Sequence, residues 1–486
     1  MMTNAVTLDG QTLTTRKLVS IARFDAPVAL TPEACERIQA AREVVERAVA
    51  RGDRVYGVTT SVGAKTGVPI ASEQIGEFNR RLLLTHNFGH GPVAPDEVVR
   101  AMMVILLNSM ATGRLGVRPL LAEILVDALN SHKRFTVHAW GSIGQSDMSP
   151  VADLALQLYA DVTLVSGEAL ALLNSSALSL GMGAMAIDDL GRLLGSWTLA
   201  AGLSMEGFAA NPSILSPAAV SSRPFDGLRS VAESLRADLE GSYLFQKQGP
   251  RHLQDPLSFR SIPILFGNAL DSFAFVERQV GIELNASQNN PIVSIEDDAL
   301  FSVANFDMLS LSMALDTARL ALSPVVTSCT ERVAKLTDSF WSGLPVGLIE
   351  EDSVGLPGFN GLAQFHKSIA SEARLLAAPV VGELSSSSHS NGNLDRASMS
   401  TIAARRVRDT VEVCKSLLGI ELIVAAQAVE MRGATPLGVT TAKVLDVVRS
   451  VVPYVQSKDR VPHPAPLLAA LEDSGYVLRS LVGAGS

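Results

Sequence analysis

A mainly α-helical fold follows from three features of the sequence. The first is composition. Of 486 residues, 47% are hydrophobic but only 5% aromatic, and alanine and leucine abound. Both top the helix scale, and the β-branched residues that favour strands do not dominate. The second is spacing: long stretches repeat apolar residues every three or four positions, the period of a helix with a buried face. The third is the lack of any strand–helix alternation, internal repeat or long low-complexity linker.

Each element can be justified in chain order. Residues 31–52, TPEACERIQAAREVVERAVARG, open on Thr31 as a cap with Pro32 in the first turn, and Gly52 stops the helix. Residues 94–113, APDEVVRAMMVILLNSMATG, share that grammar and end on Gly113. Residues 141–150, GSIGQSDMSP, form a glycine-rich loop, and the apolar helical stretch VADLALQLYADVTLV follows at once. Segments 188–208, 307–326, 364–379 and 408–433 read as long, mostly buried helices, and SSSSHSNGN at 385–393 is the most loop-like part of the C-terminal half. A division into residues 1–200 and 201–486 places the glycine loop in an N-terminal domain and a bundle of long helices after it.

Bulk properties narrow the class. A mean hydropathy of +0.25 is high for a soluble monomer and points to an oligomer or a membrane contact. The longest uncharged run, residues 169–187, carries Asn174, Ser175, Ser176 and Ser179 near one end, which argues against a membrane span. The first thirty residues have scattered charges and no apolar stretch of the kind a signal peptide needs. Cys35, Cys329 and Cys414 lack the spacing of a disulfide framework or a zinc site. The net charge of −9 provides no basic tract for nucleic acid. A cytoplasmic oligomer is expected, with no metal, membrane or nucleic-acid partner.

Several polar residues interrupt the apolar stretches. Tyr56 lies in RVYGVTTSVGAKTG, a loop in which an anchoring tyrosine is the plainest reading. His86 and His90 sit in the turn HNFGHG, where histidines are usually structural. Asn174, in ALALLNSSALSLGMGAMA, must find hydrogen bonds or cost about 1–3 kcal/mol. Arg260, in RHLQDPLSFRSIP, is a natural carboxylate fork and equally a surface ion pair.

Their order adds information. The run VYGVTTSVG, THNFGHG, GSIGQSDMSP, LALLNSS, QDPLSFR, ELNASQNNPI with VANFD, and ARR at 404–406 resembles the histidine and phenylalanine ammonia-lyase family from about residue 30 onward. The resemblance implies an almost all-helical subunit with a central bundle of long helices, and a homotetramer whose active sites are completed by three subunits. It matches Tyr56, His86, Asn174, Gln254, Arg260, Asn305 and Phe306 to pocket positions.

The glycine loop departs from that family. There it reads G-S-V-G-A-S-G-D-L-A-P, and Ala-Ser-Gly cyclises to methylideneimidazolone, the electrophile that activates the substrate. Here Gln145 stands against the alanine and Ser146 against the serine; Asp147 follows at once, and the loop is one residue shorter. Closing that ring needs the compact backbone that glycine permits. No cofactor is therefore expected, and Ser146 is left as a turn-former or a polar wall. Leu257 replaces the family's usual tyrosine, and Leu394 falls about where histidine ammonia-lyases carry a carboxylate.

What the resemblance implies is a cofactor-free carbon–nitrogen lyase acting on a small carboxylate. Ergothionases offer a precedent: they lack the Ala-Ser-Gly triad and eliminate trimethylamine from a betaine. Tyr56 would act as base, with Arg260 and Asn174 on the carboxylate. His366, Lys367 and Arg396, in segments that form the far side of the family's pocket, are candidate cations to lower the tyrosine's pKa. A cofactor-free addition, cyclisation or isomerisation on an α,β-unsaturated carboxylate uses the same groups, and a non-catalytic binding homologue is the alternative outside catalysis.

Overall fold

The structure, a computed structural model, describes residues 5–350, 355–381, 389–456 and 459–474. It is mainly helical. Its described strands form three two-stranded ribbons: Val6–Leu8 parallel to Val28–Leu30, His90–Val93 antiparallel to His138–Trp140, and Ile292–Ser294 antiparallel to Ala299–Phe301. The helix Pro32–Arg51 begins and ends as its sequence requires. The Thr31 hydroxyl accepts from the Ala34 amide at 3.2 Å, and Gly52 closes the helix in the left-handed conformation at φ 73°.

The chain forms two compact units. One holds residues 1–188, 276–316 and 379–406, and the other residues 189–275, 317–378 and 407–486. This differs from the expected cut at residue 200, because the chain crosses between units within its long helices. Helices Ala177–Phe208, Leu309–Thr337 and Ser400–Arg432 each contribute turns to both units. Continuous periodicity hides such crossings in the sequence.

In the first unit, the helix Asp96–Ala111 is buried along nearly its whole length, with Met102, Met103, Val104 and Leu107 fully enclosed. Gly181 packs against it so closely that a Cβ would lie 3.2 Å from the Ala101 Cβ and the Met102 nitrogen. In the second unit, Trp197, Phe208, Phe259 and Phe266 are fully buried, and Phe208 stacks on Phe259 with ring centres 4.1 Å apart. Stretches Glu168–Phe208 and Leu309–Thr337 are long and apolar enough to cross a membrane by length and composition, but the most apolar window of the first is wholly buried in the protein. The apolar run 169–187 is not one helix. It breaks at residues 174–176, between Glu168–Leu173 and Ala177–Phe208.

Candidate active site

The glycine loop leaves the strand His138–Trp140 and ends at Asp147, which precedes the helix Met148–Leu158. Gly141, Gly144 and Ser146 take positive φ values of 114°, 78° and 69°. Two of these are glycines, for which the conformation is free; Ser146 adopts it at a cost. Residues 396–400 clamp the loop. The Met399 amide donates to the Ile143 carbonyl at 3.0 Å, Ser398 Oγ donates to the Gly144 carbonyl, and Gln145 Nε2 donates to the Arg396 carbonyl at 3.0 Å. Gln145 also bridges to Asp307, whose carboxylate pairs with Arg396.

Beneath the loop lies Asp147, fully buried. Its Oδ1 accepts from Ser142, Ser179 and Thr401 hydroxyls at 2.7, 2.8 and 3.0 Å, and its Oδ2 accepts from the Ser179 amide at 2.7 Å. Burial raises its pKa, and these donors do not fully offset that. Its own amide donates to the Ser175 carbonyl at 2.7 Å. Gln145 Oε1 and Ser146 Oγ are buried and, among the described residues, unpartnered.

The other candidates of the first unit sit on separate loops. Tyr56 is half-buried, and its hydroxyl accepts from the Gly63 amide at 3.0 Å, which closes its own loop. His86 ends the helix Ile75–His86 with Nδ1 2.8 Å from the Leu82 carbonyl. Asn174 caps the helix Glu168–Leu173 and donates to the Asn290 carbonyl. Asn305 is exposed and Phe306 half-buried.

In the second unit, Arg260 ends the short helix Leu257–Arg260. Its Nε donates to the Asp255 carbonyl at 2.6 Å, and its terminal nitrogens make no hydrogen bond among the described residues, so the fork is open. Asp255 anchors the segment by accepting from the Asn211 amide at 2.6 Å. Gln254 is exposed, and Leu257 is 66% exposed. Under this segment lies a fully buried ion pair. Arg332 grips Glu421 with Nε–Oε1 at 2.6 Å and Nη2–Oε2 at 3.0 Å, and Trp197 and Ser204 donate to the same carboxylate. Ser328 Oγ, which accepts from Arg332, donates in turn to the Ser258 carbonyl at 2.8 Å.

The cationic neighbours require correction. His366 is fully buried with Nε2 3.3 Å from Cys329 Sγ, and desolvation lowers its pKa to about 4. It is a neutral core histidine, because charging it there would cost too much. Lys367 is exposed on the helix Asn360–Leu376, and the charge of Arg396 is engaged by Asp307. Of the loop-like stretch 385–393, residues 385–388 lie outside the described residues, and His389–Gly392 is a helical turn. Sequence reasoning missed Ser179, Ser398 and Thr401, hydroxyls inside helical or featureless stretches whose role depends on long-range contact. Among the described residues, no group of three or more His, Cys, Asp or Glu side chains is placed to hold a metal.

Methylideneimidazolone is the group the fold implies, and the residues here do not fit it. The nitrogen that would close the ring belongs to Asp147 and is committed to Ser175, and the Asp147 side chain is fixed by four donors.

Long core helices, a serine-bearing glycine loop and a tyrosine loop in one chain are the features expected of the ammonia-lyase fold. Comparison with known proteins agrees: residues 13–450 match the family described as aromatic amino acid lyase. The chain belongs to that family. It is 31% identical over 481 residues to histidine ammonia-lyase from Caldanaerobacter subterraneus subsp. tengcongensis, covering 93% of this chain and 94% of the relative. Histidine ammonia-lyase from Treponema denticola is also 31% identical, over 486 residues and 95% of each chain. Among solved structures, ergothionase from Treponema denticola in complex with desmethyl-ergothioneine sulfonic acid superposes with a TM-score of 0.90 at 25% identity, covering 99% of both chains. Tyrosine aminomutase from Streptomyces globisporus gives 0.90 at 25% identity, covering 98% of both.

Proposed function

We propose that this protein eliminates an amine from a small carboxylate without methylideneimidazolone, as a carbon–nitrogen lyase of the ergothionase kind. The observation that carries this reading is the loop at Gln145, Ser146 and Asp147, where the residue that would close the ring is instead a buried, four-fold hydrogen-bonded anchor. The likeness to ergothionase, described as an ergothioneine-degrading enzyme, supports it.

Without the electrophile, a quaternary ammonium is the suitable leaving group. Tyr56 takes the β-proton, the C–H electrons form the double bond, and the C–N electrons leave on a neutral tertiary amine. The products are an α,β-unsaturated carboxylate, the amine and a proton. Asn174 and the open fork of Arg260 hold the carboxylate, and a guanidinium suits that task through two parallel hydrogen bonds. The assembly proposed is a homotetramer. Exposed Met313, Leu320, Phe365 and Leu375 on two long helices support burial against further copies, and light scattering that shows a stable monomer would contradict it.

Two measurements test the reaction. The intact mass should equal that of the unmodified chain, and a deficit of about 36 Da, two waters lost in ring formation, would overturn the cofactor-free reading. Betaines of aryl-substituted propionates should yield an absorbing acrylate. Turnover of primary amino acids but of no betaine would overturn the choice of leaving group.

A further inference from the structure

The turn that carries His86 and the loop that carries Ser146 meet at a residue outside both. Asp153, one turn into the helix Met148–Leu158, is 5% exposed. Its Oδ2 accepts from the His138 amide at 2.9 Å and lies 2.8 Å from His138 Nδ1. Its Oδ1 accepts from Asn87 Nδ2 at 2.6 Å. Asn87 directly follows His86, and His138 opens the strand that runs into Gly141.

The backbone closes over the same point. His90 pairs with Trp140 and Val93 with His138. A Cβ on Gly89 would lie 2.9 Å from Asp153 Oδ2 and 3.1 Å from Ser149 Oγ. A Cβ on Gly141 would lie 3.1 Å from Ser149 Oγ and 3.6 Å from the Gly89 Cα. The glycines of HNFGHG and GSIGQSD therefore permit two loops to lie against one helix end, where the Asp153 carboxylate holds Asn87 of the first turn and His138 of the strand that leads into the second loop.

We infer that Asp153 is a positioning residue that fixes the His86 turn and the 141–147 loop as one body, so that neither opens without the other. Its consequence for turnover rests on the proposed site; the coupling itself does not. Hydrogen exchange on the intact protein tests the coupling without any substrate. In Asp153→Asn, and in Asn87→Ala at an exposed position that leaves the core untouched, amides in 86–93 and in 138–147 should gain exchange by the same factor. That factor should be roughly 10- to 100-fold, the range for losing a hydrogen bond to a charged group. Faster exchange confined to one segment, or unchanged exchange in both, overturns the inference.

A second arm separates positioning from mere support. With the betaine substrate, Asn87→Ala and His86→Ala should lower kcat/KM non-additively, the double variant being no worse than His86→Ala alone. Multiplicative losses would overturn the positioning of His86. Failure of the wild type to turn over any betaine sinks the proposed reaction and leaves the exchange result to decide the coupling.

Discussion

Each unit holds one candidate segment, the glycine loop or the stretch 254–260, beside a fully buried carboxylate, and the two carboxylates are treated in opposite ways. Asp147, under the glycine loop, is held by three hydroxyls and an amide, and burial leaves its pKa raised. Glu421, linked through Arg332 and Ser328 to the Gln254–Arg260 region, faces the same burial. Arg332 opposes it by charge and by hydrogen bond, so the Glu421 pKa is lowered. Neutral donors satisfy a buried carboxylate geometrically without cancelling its charge; a bidentate guanidinium does both. The kept segment stands on the paired footing, and the rewritten loop on the unpaired one.

The largest effect tests the paired footing. Arg332→Met removes the one countercharge that touches Glu421 among the described residues and should cost about 3–5 kcal/mol in chemical denaturation, the penalty for stranding a buried charge. Adding Glu421→Gln should recover much of it, since an uncharged pair of similar volume needs no counter-ion. A loss under about 1 kcal/mol for Arg332→Met would mean that water reaches Glu421, and the contrast with Asp147 would collapse.

Next come substitutions that separate chemistry at Tyr56 from binding at Arg260. Tyr56→Phe removes only a hydroxyl and should lower kcat by at least roughly 100-fold with KM nearly unchanged. Normal turnover would make the tyrosine structural, with His86 the next base to test. Arg260→Lys keeps the charge but loses the open fork, so it should mainly raise KM, by roughly the 1.5–3 kcal/mol of a charge-assisted hydrogen bond. A loss in kcat alone would place the arginine against the reacting centre instead.

How much of this was legible in the sequence follows from the range of each interaction. Helix starts and stops are local. Thr31, Pro32 and Gly52 mark one helix completely, and the break of the glycine motif at Asp147 is visible in ten residues. The unit boundaries were not legible, because four of the five crossings fall inside helices, where helical periodicity runs across the boundary. His366 misled for the same reason: its helix position shows a polar residue among apolar ones, but only the tertiary packing against Cys329 shows that it is neutral. Asp153 carried no signal at all, since an aspartate in a helix after a loop reads as an ordinary solvated side chain.

The smallest effect separates the two footings most directly, through pH. The Asp147 pKa is raised in the folded state, so its contribution to stability is fully present below the ordinary carboxylate pKa of about 3.9 and is lost as pH rises through the folded value. Above that point, the folded protein must hold a buried charge that the unfolded chain carries freely. Asparagine is neutral throughout, so Asp147→Asn should gain on the wild type in melting temperature from about pH 4 toward neutrality. The Glu421 pKa is lowered, so its contribution is present above about pH 4.3 and is lost as pH falls through the folded value. Glu421→Gln should therefore fall furthest behind the wild type near neutrality, with the gap closing in acid. Parallel trends in the two variants would show that a hidden cation neutralises Asp147. The glycine loop would then rest on the same kind of footing as the Arg260 segment, and the difference between the units would have to lie in Gln145 and Ser146 alone.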